Sequence, residues 1–309
     1  MKLSIVTTLY KSSPYIDEFY ARISKEAQKI TDDYEIIFVD DGSPDDSLQK
    51  AVALYEKDSK VKVIELSRNF GHHKAIMTGL SHVKGEFVFL IDSDLEEEPE
   101  LLGKFWEELH KEKELDVVFG VQESRKGGWF EKWSGTIFYS IFIYLSGMKI
   151  TRNQIMTRLM SKKYVYNLVA HRDRAIFLGG LFELTGFHQK SIVCNKAHKG
   201  DTSYTFTKRL GQALNSIISF SAKPLYMISL LGMSMFLLAI IYIVYLIIGK
   251  LFFFNPISGW TSILVSIYFL GGLILFSIGV IGIYINKIFE EVKDRPYSII
   301  KNVFEKGLN

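Results

Sequence analysis

Along the first 120 residues, apolar positions form short unbroken runs, separated by longer stretches in which they recur at helical spacing. The runs Leu3 to Leu9, Tyr34 to Val39, Val61 to Leu66, Phe87 to Ile91 and Asp116 to Phe119 predict strands buried on both faces. The stretches Tyr15 to Ile30, Leu48 to Lys57, Lys74 to Val83 and Pro99 to Lys111 predict helices. Ser13-Pro14 makes a helix start, and Asp17 and Glu18 suit its positive end. Regular alternation of strand and helix predicts the α/β class, a doubly wound and mostly parallel sheet.

The pattern changes toward the C-terminus. Lys208 to Lys223 places Leu210, Leu214, Ile217 and Ile218 on one stripe beside Lys208 and Arg209, which predicts an amphipathic juxtamembrane helix over 208–223. Leu225 to Gly249 and Trp260 to Ile285 carry no charge. As helices each reaches about 37 Å or more, against a bilayer core of about 30 Å. Two transmembrane helices are therefore expected within 224–286, with Gly271, Gly272, Gly279 and Gly282 allowing close packing. Lys208, Arg209 and Lys223 precede them and Lys287, Lys293 and Arg295 follow, while the connecting loop has only Lys250. Positive-inside bias puts an N-terminal domain of residues 1–207, the tail 287–309 and both termini in the cytoplasm. A shorter segment near 134–146, behind a basic and aromatic stretch from Arg125 to Trp133, predicts a helix lying in the membrane interface.

Composition narrows the function classes. A hydrophobic share of 48% in 309 residues is explained by the apolar C-terminal third. Net charge of +3 gives no nucleic-acid footprint. Cys194 is the only cysteine, which excludes an internal disulfide and a cysteine-based metal site. The opening MKLSIVTTLY goes straight into strand-like alternation, so no secretory signal is expected.

Candidate chemistry gathers at predicted strand ends. The fourth run stops at Asp92-Ser93-Asp94, where paired carboxylates suit Mg²⁺ or Mn²⁺ carrying a phosphate-bearing substrate. The second stops at Asp40-Asp41-Gly42-Ser43, where a carboxylate can accept from a base or a ribose and Gly42 lets the backbone turn sharply. His72-His73 is not a metal pair, because adjacent helical residues point apart; a solvated or phosphate-facing role is expected.

Thr8-Leu9-Tyr10, Asp40-Asp41-Gly42-Ser43, Arg68-Asn69-Phe70-Gly71 with Ala75 and Gly79, and Asp92-Ser93-Asp94-Leu95-Glu96 resemble the motifs of family 2 glycosyltransferases in order and spacing. The nearest resemblance is to polyprenyl-phosphate glycosyltransferases of the dolichyl-phosphate mannose synthase and bactoprenol glucosyltransferase type. It implies a GT-A fold, a nucleotide-sugar donor and inversion at the anomeric carbon. By this resemblance Thr8, Tyr10, Asp40, Asp41, Arg68, Asp92 and Ser93 hold the nucleotide. Asp92 and Asp94 hold the metal and diphosphate, with Glu96 where similar enzymes often have Gln.

Arg158-Leu159-Met160 resembles an Arg-Leu-Met element usually preceded by an acidic residue, but Met156 and Thr157 stand there instead. A lipid phosphate has a second pKa near about 6 and is an anionic nucleophile without a base. The resemblance implies Arg125, Lys132, Arg158 and Lys196 at the acceptor phosphate, and Asp94, Arg125 and Arg158 as the catalytic residues. The expected activity moves a hexose from a nucleotide sugar, UDP-hexose ahead of GDP-mannose, to a polyprenyl phosphate at the bilayer. A homo-oligomer stays open. Competing expectations are a transferase that extends a lipid-diphosphate-linked sugar, a processive polysaccharide synthase, and a non-catalytic scaffold or lipid-transport accessory with a nucleotide-binding fold. Two spans and the lack of a Gln-x-x-Arg-Trp element count against the synthase.

Overall fold

The computed structural model describes residues 1–122, 140, 143–145, 151, 153–171, 176, 178–194, 221–252 and 259–306. Their elements are β1 (Leu3–Leu9), α1 (Ile16–Ile30), β2 (Tyr34–Asp40), α2 (Ser47–Lys57), β3 (Val61–Leu66), α3 (His72–Leu80), β4 (Phe87–Leu90), α4 (Leu101–Lys111) and β5 (Val117–Val121). Then come β6 (Gln154–Ser161), α5 (Lys162–Ala170), α6 (Leu178–Leu184), β7 (Gln189–Val193), α7 (Lys223–Phe252), α8 (Trp260–Val292) and β8 (Ile300–Phe304). The chain divides into two compact units, one of Met1–Thr136, Met148–Ser203 and Arg295–Asn309, the other of Ile137–Gly147 and Tyr204–Asp294.

The first unit is built on one sheet of order β7-β5-β6-β4-β1-β2-β3-β8. β1 to β4 run parallel, which is why every residue of β1, β2 and β3 is buried: helices cover both faces. On one face Leu3, Ile5 and Phe38 pack with Phe19 and Ile23 of α1 and Phe105 of α4. On the other, α3 comes so close that a Cβ at Gly79 would lie 2.5 Å from Val6 Cγ1 and 2.9 Å from Val39 Cγ2. Each fully buried large apolar side chain contributes about 1.5–3 kcal/mol to this core.

Two strands were not legible in the apolar pattern. β6 runs antiparallel between β4 and β5, but Thr157 and Arg158 interrupt its alternation. β8 lies in the expected tail and pairs antiparallel with the outer edge of β3.

In the second unit α7 and α8 are helices of 30 and 33 residues, each long and apolar enough to cross a membrane. Leu230, Leu275 and Phe276 are exposed on them. The close packing expected at Gly271, Gly272, Gly279 and Gly282 is not found: among the described residues nothing lies within 4 Å of a Cβ placed at any of them. The Tyr284 hydroxyl donates to Ser221 O at 2.8 Å, tying α8 to the entrance of α7. Ser140 and residues 143–145 are helical; the remainder of the expected 134–146 helix, and residues 208–220 of the amphipathic segment, lie outside the described residues.

Candidate active site

β1 is the point at which the parallel sheet switches direction, pairing with β2 on one side and β4 on the other. In such sheets a crevice opens beyond the carboxyl ends of the strands. Here Thr8, Asp40 and Asp92 are brought to that edge. The three ends are tied together: Asp41 N donates to Leu9 O at 3.0 Å, Ile91 N to Val6 O at 3.2 Å, and Ser93 Oγ to Thr8 O at 2.9 Å. Ser93 Oγ also lies 3.1 Å from Ser12 Oγ, whose hydroxyl can donate to it, and is buried, so its place is beneath the site rather than on its surface.

The adjacent carboxylates of the second strand end do different work. Asp41 accepts from Phe70 N at 2.7 Å and Gly71 N at 3.0 Å, anchoring the loop that opens α3. Asp40 accepts from Ser43 N at 3.3 Å through Oδ2, while its buried Oδ1 has no hydrogen-bond partner among the described residues. Burial raises both carboxyls above the ordinary range, opposed at Asp41 by the two amides. Gly42 has φ +63°, and a Cβ there would sit 2.5 Å from Asn69 N, so this turn and the Arg68 loop pack backbone to backbone.

Arg68 is exposed on that loop, its guanidinium 4.3 Å over the Phe70 ring. Tyr10 is half exposed beyond β1. His72, the first residue of α3, joins two motifs: Nδ1 lies 3.1 Å from Thr8 Oγ1 and Nε2 lies 3.4 Å from Asp92 Oδ1. Helical spacing does not reveal this bridge, since its partners lie on two strands. His73 is separate, with Nδ1 3.2 Å from Ile176 O, and burial lowers its pKa.

Asp92 and Asp94 are partly buried on the turn after β4, where Leu95 has φ 61° and Glu96 N donates to Asp94 Oδ1 at 3.0 Å. Among the described residues no three His, Cys, Asp or Glu side chains are gathered to hold a metal. The expected trio Asp92, Asp94 and Glu96 is therefore not a preformed ligand set, because Asp94 turns back on the Glu96 amide and Asp92 faces His72. Two carboxylates at a strand end still fit a hard cation that takes its other oxygens from a diphosphate and water.

Arg158, expected at the acceptor phosphate, is buried in the sheet. It lies on interior strand β6, opposite Leu90 and Phe119, and is 1% exposed. Its Cζ stacks 3.2 Å from the Phe182 ring centroid, Nε donates to Met156 O at 3.3 Å, and Nη1 and Nη2 have no hydrogen-bond partner within 3.5 Å among the described residues, with the Tyr164 hydroxyl the nearest electrostatic neighbour. Burial pushes its pKa down to about 10. Thr157, in place of the usual acidic residue, donates to buried Glu97. Arg125, Lys132 and Lys196 lie outside the described residues.

This architecture is the GT-A fold. A mannosyltransferase from Pyrobaculum calidifontis in complex with GDP-Man and Mn²⁺ superposes with TM-score 0.51 at 17% identity, over 71% of this chain and 63% of that one. Glucosyl-3-phosphoglycerate synthase from Mycobacterium tuberculosis, in complex with Mn²⁺, uridine diphosphate and product, gives 0.50 at 17% identity, covering 71% and 78%. In sequence, a Mycobacterium tuberculosis protein carrying only a general glycosyltransferase assignment is 49% identical across 100% of this chain and 90% of its own length. A bactoprenol glucosyl transferase from Shigella phage SfV is 32% identical across 99% of this chain and 100% of its own. A prophage-derived one from Shigella flexneri is 33% identical across 97% and 98%. Residues 4–171, more than half of the 309, match the family described as Glycosyl transferase family 2. The strand-end motifs, the fold and these full-length likenesses agree: the chain belongs to glycosyl transferase family 2.

Proposed function

We propose that this glycosyltransferase moves a hexose from a nucleotide sugar, UDP-hexose ahead of GDP-mannose, to a polyprenyl phosphate at the cytoplasmic face of a membrane. The observation that carries this reading is the gathering of Thr8, Asp40 and Asp92 at the carboxyl ends of β1, β2 and β4, in the same chain as two long apolar helices. The full-length likeness to proteins named bactoprenol glucosyl transferase supports the acceptor class.

Each part of the crevice has a task. The unpartnered Asp40 Oδ1 accepts from an N–H of the base or a ribose hydroxyl, which repays its desolvation. Tyr10 offers a ring face for the base, and Arg68 a cation beside the nucleotide. Asp92 and Asp94 hold Mg²⁺ or Mn²⁺, which when bound neutralises charge on the leaving nucleoside diphosphate. The lipid phosphate oxygen forms a bond to C1 as the C1–O bond to the diphosphate breaks, with inversion. No base is needed, because this oxygen is already largely anionic near neutral pH.

Arg125, Lys132 and Lys196 supply the cations for the acceptor phosphate. Arg158, stacked on Phe182 inside the sheet, is left out of this acceptor set. Purified protein with undecaprenyl phosphate, Mn²⁺ and a panel of nucleotide sugars is expected to yield a lipid-linked hexose. Asp92→Asn is expected to remain folded and lose that product. Transfer only to a lipid-diphosphate-linked sugar would replace this acceptor with the extending-enzyme reading, and unchanged transfer by Asp92→Asn would overturn the metal role.

A further inference from the structure

We propose that His72 is a positioning residue that holds the Thr8 hydroxyl and the Asp92 carboxylate in one geometry across the β1/β4 junction. This rests on the donor-site reading above and assigns that site a part which neither strand motif contains. The ring is built into place from behind: Asp41 pins the amides of Phe70 and Gly71 immediately before it, and α3 begins at His72 itself. From that base the imidazole reaches two strands at once, Nδ1 at 3.1 Å from Thr8 Oγ1 and Nε2 at 3.4 Å from Asp92 Oδ1.

A neutral ring that accepts from the Thr8 hydroxyl at Nδ1 carries its proton on Nε2, 3.4 Å from the Asp92 carboxylate. Ser93 and His72 then divide the junction between them. Ser93 Oγ donates to Thr8 O at 2.9 Å and fixes the main chain, whereas His72 acts on the side chains that face the donor. Partners of this kind orient a metal-binding carboxylate, and removing one typically weakens metal affinity by about 10- to 100-fold. His72 is 43% exposed, so replacing it leaves little core unfilled.

Calorimetric titration of the full chain separates this role from the alternatives. Mn²⁺ is titrated into protein saturated with UDP, and UDP is titrated separately in EDTA. His72→Ala is expected to weaken the Mn²⁺ arm about 10-fold and to change the EDTA arm less than about twofold. His72→Gln, whose amide falls near Nε2, is expected to recover most of the loss; His72→Asn, whose amide falls near Nδ1, recovers little. In an Asp92→Asn background, His72→Ala adds no further loss, because it acts through that carboxylate. In turnover, kcat falls while KM for undecaprenyl phosphate holds.

Wild-type affinity in the Mn²⁺ arm for His72→Ala would overturn the proposal, as would full additivity with Asp92→Asn. Equal loss in both arms would make His72 a direct nucleotide contact and overturn the positioning role alone. A folded wild type that binds UDP in neither arm would instead remove the donor-site reading, and this proposal with it.

Discussion

At Asp40 the needs of folding and of binding conflict. The side chain is 2% exposed, one oxygen has only a 3.3 Å amide and the other has no partner among the described residues. Burial penalises the ionised form and raises the folded pKa. A carboxyl raised in this way lends stability that is full below its unfolded pKa of about 3.9 and is lost as pH rises through the folded value. Asp40→Asn is therefore expected to melt above wild type at pH 7 by about 2–4 °C, the shift that ~1 kcal/mol produces in a domain of this size. The gap should close as pH falls toward about 4; a gap constant with pH, measured by thermal melts, would refute the burial argument. The Asp40-Asp41-Gly42 turn was legible because it ends an apolar run. The division of labour was not, since Asp41 is committed by amides 29 and 30 residues further along.

Among the elements, β8 carries the clearest consequence of tertiary pairing. Its five residues close the β3 edge, which would otherwise expose unpaired amides and carbonyls. Charges flank the seam: Lys62 Nζ lies 2.9 Å from Glu305, and Glu65 accepts from Lys301 and Asn302 at 2.6 Å each. Ser298 and Thr78 hydroxyls meet at 2.7 Å, linking the segment to α3. Burial alone would raise the Glu305 carboxyl, but Lys84 and Lys62 hold it below its ordinary range. Its contribution is therefore present above the unfolded carboxylate pKa and lost as pH falls through the folded value. Deleting residues 298–309 is expected to speed hydrogen exchange by at least about tenfold at those amides of Val63 to Leu66 that pair with β8. Unchanged protection would mean that the edge does not depend on β8. No periodicity announces this strand, because Lys301-Asn302 breaks the apolar alternation and its partner is more than 230 residues away.

For the whole molecule, connectivity bears on the proposed orientation. The chain leaves the sheet unit after Ser203 and re-enters it at Arg295, with two long apolar helices between. If that unit stays on one side of a bilayer, the intervening chain crosses an even number of times. The flanking Lys and Arg residues favour the cytoplasmic side. In a Cys194→Ser background, Ser258→Cys is expected to react with a membrane-impermeant maleimide on intact cells. Asn309→Cys should react only after permeabilisation. The reverse pattern would invert the proposed topology.

Local order along the chain was enough to determine the α/β alternation, the two apolar segments and the acidic turns at the strand ends, because burial on both faces and a lipid-length helix each impose a pattern on neighbouring residues. The sheet order, the insertion of β6 and β8, the burial of Arg158 under Phe182 and the His72 bridge were decided only by the tertiary structure. These depend on which distant strands pair, and a carboxylate, an imidazole or a guanidinium carries no local mark of the partner it will meet.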